Sequence, residues 1–545
     1  MVIVFRTYKY CLFTCISVFL LGCYSSEKEE GTIFHYNEQS GIASIDPAFA
    51  KNQSIMWAIH QLYNTLVEVD QDLNIVPSLA SRWEISDDRK TYTFYLRNDV
   101  FFHDDACFPN GKGRKMTAHD VVFSFKRIID PATASPGSWI FNEKLDSLNG
   151  LKALNDSVFQ LKLTRPYMPI LGILSMQYCS VIPPEAIKKW GADFRSHAVG
   201  TGPFQFIAWE EGQALIMKKN PLYFEKDSAG NRLPYLDGIK VSFFDSKATE
   251  FLLFRQGKLN FINDIDASFK DEVLTKKGTL RKDWEGKIQL QKHPYLNIEY
   301  LGLLVDTTNS MMKNSPTRYK KIRQAINYAI DRQKLVLHLR NSIGIPAESG
   351  FVPVGLPSFD SSEVKGYHYD PQKARQLLKE AGFTSKNELP AIKLQTIAVY
   401  SDIGSYIARQ LEEIGLNVQV ETVQKSLLLE MTSSSKTIFF RGSWIADYPD
   451  AENYLSVFYS KNPAPPNYTR YKNPEFDAAF EKAIAETNDS MRYALYRKAD
   501  QIMIDDAPVV PLYYDMVIHL VQPNITGFTP NALNLLELRR VKKVN

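Results

Sequence analysis

The chain has 545 residues with a net charge of +3, and 44% of them are hydrophobic. That balance excludes a disordered chain and a strongly basic nucleic-acid binder. At roughly 150 residues per domain, the length suggests about three domains. An apolar run after Arg6 and Lys9 closes at Leu20-Leu21-Gly22-Cys23 and turns polar at Ser25-Ser26-Glu27-Lys28-Glu29-Glu30. It reads as a cleavable export signal over 1–22, a lipid-attachment cysteine at Cys23 and a solvated tether over 23–30. The competing reading is a plain transmembrane anchor, but the run falls short of the roughly 20 apolar residues a spanning helix needs. Without residues 1–22, which carry Arg6 and Lys9, 523 residues with a charge of +1 remain. No later stretch is long and apolar enough to span a bilayer, so the sequence predicts an exported body, tethered rather than embedded. Of five cysteines, Cys107 and Cys179 lie beyond the signal and the anchor. A disulfide between them and two buried thiols both remain open.

Strand-like and helix-like segments alternate without a fixed-period repeat, which favours mixed α/β domains. Over Thr91 to Phe102, Tyr92, Phe94 and Leu96 alternate with Thr93, Tyr95 and Arg97, as one buried strand face requires. Thr117 then opens a helix as N-cap with Asp120 three residues on, and Pro131 stops it. Gly200-Thr201-Gly202 runs at once into Pro203 and the strand-like FQFIAW, which marks a turn rather than a phosphate loop. One helix is expected near Pro316 to Leu337, burying Ile322, Ala325, Ile326, Ala329 and Ile330. Another begins at the Asp370 cap with Pro371 in first position, carries the stripe Ala374, Leu377, Leu378 and Ala381, and leaves through Gly382. Thr437 to Gly442 reads as a strand.

The nine histidines show no HExxH or comparable ligand spacing, and no CxxC, G-x-S-x-G or G-x-x-x-x-G-K motif is present. His103-Asp104-Asp105 is the nearest thing to a metal cluster, but a polar strand-end turn accounts for it more simply. The expectation is therefore no enzyme, no metal and no cofactor.

Taken together, several blocks in fixed order carry a resemblance. They are Ile45-Asp46-Pro47-Ala48, QLYNTLVEVD from Gln61, IVPSLASRWEISDD from Ile75, YTFYLRNDVFFHDD from Tyr92, MTAHDVVFSFKRI from Met116, GTGPFQF from Gly200 and KKNPLYF from Lys218. They continue with IRQAINYAIDRQKL from Ile322, YHYDPQKARQLLKEAGF from Tyr367, SWIADYPDAENYL from Ser443, YKNPEFDAAFEKA from Tyr471 and APVVPLYY from Ala507. Nearly end to end, the chain resembles the extracytoplasmic solute-binding proteins of ABC importers, in the class that binds oligopeptides and dipeptides.

The resemblance implies a two-lobed α/β fold of the periplasmic-binding-protein kind, type II-like, with an extra domain inserted in the first lobe. Carried onto this chain, lobe I takes 31–72, 196–294 and 516–545, the extra domain 73–195 and lobe II 295–515. Two crossings, Tyr295 to Leu301 and Leu512 to Asp515, form the hinge. The implied function is capture of short peptides between closing lobes by a monomeric receptor, lipid-anchored outside the cytoplasmic membrane in periplasm or on the cell surface, that serves a permease and an ATPase. In peptide-binding relatives an aspartate in a W-x-x-D segment holds the α-amino group, and the matching residue here is Asp447. A turn at Asp447-Tyr448-Pro449-Asp450 is the alternative role for it. Trp444 is either a pocket wall or a core aromatic, Gly442 ends the strand whose backbone would carry the peptide ladder, and Tyr514 either reaches the cleft or is an interior tyrosine. No arginine is assigned to the peptide carboxylate, and the loop Ala48 to Gln53, which touches ligand in relatives, departs from the pattern so that no contact is assigned on it. Other solutes (nickel chelates, sugars, cell-wall peptides) and a surface interaction lipoprotein without transport are the competing functions.

Overall fold

Two long antiparallel strands, Gln289–Leu303 and Val509–Val521, run side by side through a mixed sheet and join its two ends. The computed structural model describes residues 31–146, 150–383 and 389–544, so the export signal and Cys23 lie outside the described residues. On one side the sheet continues through Phe261–Asn263, Ile33–Asn37, Gly238–Ser242, Ala214–Lys219 and Phe204–Glu210. On the other it continues through Phe439–Ile445, Ile392–Thr396 and Val418–Thr422. Each end with its helices is one lobe of a two-lobed α/β fold. Val509–Val521 is almost unbroken in apolar character and buried throughout except at Asp515 and Met516, as a strand covered on both faces must be.

Those two residues mark the crossing between lobes. The ladder runs from Gln289 opposite Val521 to Pro294 opposite Met516 and resumes at Ile298 opposite Tyr514. Tyr295, Leu296 and Asn297 are thus left to bulge against Asp515. Pro294 has no N–H to give the ladder, which is why the break falls there. Asn297 closes the bulge by donating to Asp515 Oδ2 at 3.1 Å.

A separate four-stranded antiparallel sheet, in the order Ala80–Ile85, Thr91–Leu96, Val158–Lys162 and Leu151–Asn155, forms the extra domain with the helix Ala118–Ile129. Phe125 meets Phe159 edge-on at 5.5 Å to fasten helix to sheet. The Thr117–Asp120 capping box is present, with Asp120 Oδ2 accepting from the Thr117 N–H at 2.8 Å. The expected strand from Thr91 runs to Leu96, with Tyr92, Phe94 and Leu96 buried as the alternation requires.

The helix expected over Pro316 to Leu337 is broken. It is a short turn, Pro316–Arg318, followed by two helices, Lys320–Ala329 and Arg332–Leu339. Asp331 leaves the first to cap the second, accepting from Lys334 N at 2.9 Å. Arg332, fully buried, holds the corner by donating to the Pro511, Asn327 and Tyr367 carbonyls. Helix Pro371–Glu380 starts at Asp370 and leaves through Gly382 at φ +92°, where a left-handed residue is needed. At Gly200 and Gly202 the reason for glycine is different, because a Cβ at either would fall within 2.4 Å of Leu62 backbone atoms.

His103 donates Nε2–H to the Gly202 carbonyl at 2.9 Å, and burial lowers its pKa to about 4. Asp104 is taken by Lys112 and the Gly113 N–H, so this strand end is a hydrogen-bonded turn. Cys107 and Cys179 are both free thiols, Cys179 fully buried and Cys107 half-buried. Among the described residues no helix is long and apolar enough to cross a membrane.

Candidate functional site

A cleft of about 690 Å³ opens where both lobes and the extra domain meet. Its size lies within the roughly 300–1,000 Å³ of small-ligand sites. The void beside Asp500, about 10 Å³, holds no more than a water. One cleft wall is the segment Ala50 to Gln53 and the helix Gln53–Leu62, whose Asn52 cap accepts from Ile55 N at 3.1 Å. The helix presents Trp57 and His60, and Tyr63 follows it. Trp57 is pinned by its Nε1–H on the Asn534 carbonyl at 2.7 Å. Trp139 and Tyr178 come from the extra domain, Tyr295 from the crossing bulge, and Lys425 and Ile445 to Asp447 from the second lobe.

Asp447 stands at the end of strand Phe439–Ile445, with Ala446 bonded back to the bulge through its N–H on the Leu296 carbonyl at 2.8 Å. Asp447 lines the cleft, its side chain reachable by solvent there. Burial pushes its carboxyl pKa up, opposed by a hydrogen bond from Asn453 Nδ2 at 3.4 Å. No cation pairs with it among the described residues. Tyr178 lies opposite, its own pKa raised by burial and by the Asp447 charge. Asn453 is the organiser: its Oδ1 accepts from the Trp444 indole at 3.0 Å and the Asp447 N–H at 3.3 Å.

The other singled-out residues are placed elsewhere. Trp444 is half-buried behind Asp447 and touches the site through Asn453. Tyr514 is buried, donates to the Gly350 carbonyl at 2.8 Å and packs against Phe359, away from the cleft lining. Gly442 lies over Tyr300, where a Cβ would come within 2.6 Å of the ring. Tyr300 is itself buried and set edge-on to Phe351, which leaves the ring little room. Gly442→Ala is therefore expected to cost about 1–3 kcal/mol by overpacking, read as a lower denaturation midpoint at unchanged slope.

Strand Phe439–Ile445 pairs along its whole length with Gln289–Leu303, from Leu303 opposite Phe439 to Asn297 opposite Ile445. On its other edge only Phe439 and Phe440 are paired, with Leu394 and Gln395. Residues 441–445 thus offer a free strand edge that leads to Asp447. Arg441 on this strand is engaged, bonding Glu299 and lying 3.8 Å over the Tyr400 ring.

Tyr63 lies in the QLYNTLVEVD block, Lys51 in the Ala48 to Gln53 loop and Tyr295 in the expected crossing, whereas Tyr178, Lys425 and the Leu533 to Leu535 turn are cleft residues that no sequence block singled out. Asn453 also carried a signal, since it lies in the same SWIADYPDAENYL block as Asp447.

Residues 74–466 match the family model of bacterial extracellular solute-binding proteins, family 5 Middle. The chain is 25% identical to the dipeptide-binding protein DppE of Bacillus subtilis, covering 97% of each chain. It is 28% identical to heme-binding protein A of Haemophilus influenzae, over 86% of this chain and 84% of that one. The solved periplasmic binding protein DppA of Helicobacter pylori, in complex with the peptide STSA, superposes with a TM-score of 0.74 at 25% identity, over 96% of this chain and 100% of that one. The chain belongs to the bacterial extracellular solute-binding proteins of family 5, substrate-binding proteins of the peptide ABC-importer family.

Proposed function

We propose that this protein captures short peptides in the cleft, with the α-amino group on Asp447, and delivers them to a permease and its ATPase. The observation that carries the reading is the Asp447 carboxylate, in the lining of the cleft and without a cation partner among the described residues. An ammonium is the group that satisfies it. The free edge over 441–445 supports the same reading, because an extended peptide added there takes main-chain hydrogen bonds that any sequence can make. The relatives named for dipeptide binding, and the structure holding the peptide STSA, are consistent with this ligand class.

In this reading lobe I comprises 31–72, 196–294 and 516–545, the extra domain 73–195 and lobe II 295–515. The hinge is the bulge at Tyr295 to Asn297 with Asp515, where the two-strand ladder is already interrupted and rotation breaks few bonds. Tyr167 Oη and Tyr448 Oη, 3.3 Å apart, join the extra domain to the second lobe. Cys23 would carry the lipid anchor of a monomeric receptor.

Calorimetry on refolded residues 24–545 with mixed short peptides tests the ligand assignment, refolding having removed any copurified peptide. Free peptides are expected to bind at micromolar or tighter, about −8 kcal/mol, and their N-acetylated forms to bind at least tenfold more weakly. Equal binding of both forms removes Asp447 from the amino-group role, and no binding by folded protein removes the peptide reading.

A further inference from the structure

Among the described residues, five ionisable side chains capable of charge at neutral or mildly acidic pH line the cleft: Lys51, His60, Glu68, Lys425 and Asp447. Two of them are satisfied within the wall. Glu68 accepts from Arg539 at 2.7 Å and from Ser78 at 2.6 Å, and His60 meets Glu537 at 3.2 Å. Lys51 and Lys425 are exposed to the cleft and make no ion pair among the described residues. They approach from opposite sides, Lys51 just ahead of the Gln53–Leu62 helix in the first lobe and Lys425 as the first residue of the Lys425–Ser433 helix in the second. The second helix has no side-chain cap at Gln424, so its first N–H groups and positive dipole end add to the potential that Lys425 sets. Arg441, the nearest guanidinium on the site strand, is already paired with Glu299 and does not enter the count.

The cleft therefore offers a ligand two free cations and one free anion. A peptide without ionisable side chains brings one ammonium and one carboxylate, which leaves one cleft lysine without an anion to pair with. A peptide with one Glu or Asp brings the missing anion. We infer that the receptor selects short peptides with a net negative charge, Lys51 and Lys425 holding the C-terminal carboxylate and an acidic side chain between them. Complementary charge across the cleft favours such a peptide, and like-charge contact disfavours basic peptides in the same space. The inference rests on the peptide-receptor reading and adds the ligand's charge to it.

The test is calorimetry with tri- and tetrapeptide pairs that differ only by Glu for Gln, Ala-Glu-Ala against Ala-Gln-Ala being the simplest, with Ala-Lys-Ala as the basic member. The protein, Lys51→Gln, Lys425→Gln and the double variant are titrated at low and high salt. Both lysines are exposed, so the substitutions threaten no packing, and thermal melts verify that. The Glu peptide is expected to bind about tenfold more tightly than the Gln peptide and the Lys peptide weakest. Each substitution and added salt should shrink the Glu-to-Gln ratio, and the double variant should abolish it. Equal affinity for the Glu and Gln peptides in the unaltered protein, or a preference that survives the double substitution, overturns the inference while leaving the peptide reading intact. Failure of every peptide to bind folded protein overturns both.

Discussion

Asp447→Asn is expected to weaken binding of a free short peptide by about 10- to 100-fold, the span that a charge-assisted bond of about 1.5–3 kcal/mol implies. Asparagine keeps the side chain's size and can still reach Asn453, so the loss reports charge rather than packing. The variant should bind N-acetylated peptides about as well as the unaltered protein does. The pH dependence has a definite sign. Burial raises the Asp447 pKa in the empty cleft, whereas a bound ammonium favours the carboxylate. Below the raised pKa the empty protein must shed a proton to bind, so affinity falls as the pH drops through it, and this fall should be missing in Asp447→Asn. Stability of the empty protein moves the other way. A raised folded-state pKa means that folding favours the protonated acid, a contribution present below the unfolded pKa and lost as pH rises through the folded one. Asp447→Asn without ligand should accordingly melt higher than the parent at neutral pH, a binding residue held at some expense of stability. A variant that binds free peptides at parental affinity across pH would remove Asp447 from the site.

Local punctuation was readable from the chain and long-range assembly was not. The Thr117–Asp120 box and the Asp370 start can be read because capping needs only residues three apart. Asp331 is equally readable as a cap, but the apolar stripe Ile322 to Ile330 runs up to it and suggests continuation. What breaks the helix is the buried Arg332, whose acceptors are up to 179 residues away. The same distinction holds in the cleft. Asp447 and Asn453 share one block of sequence, whereas Lys51, Tyr178, Lys425 and Asn534 come from four separate segments that only the fold brings to one cavity. Proximity of Tyr514 to the crossing is readable from strand order. The direction of its ring is not, since it depends on the Gly350 carbonyl, 164 residues distant.

Arg539 should be the costliest side chain to remove from the cleft's supporting wall. Its guanidinium bonds Glu68 at 2.7 Å, Glu537 at 2.9 Å and Glu225, and donates to Tyr223 Oη at 3.0 Å. All three carboxylates are largely buried, and the remaining cation, Arg540, is half-exposed and 3.3 Å from Glu225. Arg539→Met leaves three neighbouring acids with little to balance them, at a cost of about 3–5 kcal/mol. Arg539→Lys should recover only part, because one ammonium cannot present a planar fork to three acceptors. Burial alone would raise the Glu537 pKa, but the Arg539 charge and the His60 hydrogen bond bring it down to about 2. A depressed folded-state pKa gives stability that is complete above the unfolded value of about 4.3 and is lost as the pH falls toward 2. The parent should thus lose the Glu537 contribution between about pH 4.5 and 2. In Arg539→Met the sign reverses over the milder range, since acids crowded together take up protons more readily folded than unfolded, and acidification from pH 7 to 5 should stabilise the variant. Denaturant midpoints at pH 7, 5 and 3 separate the cases, and a variant with the parental pH slope would mean that Arg539 does not govern these carboxylates. Glu68 and His60 reach the cleft from this cluster, so the same substitution should also loosen the wall that carries Tyr63 and Asn64, lowering peptide affinity without altering the preference for a free amino group.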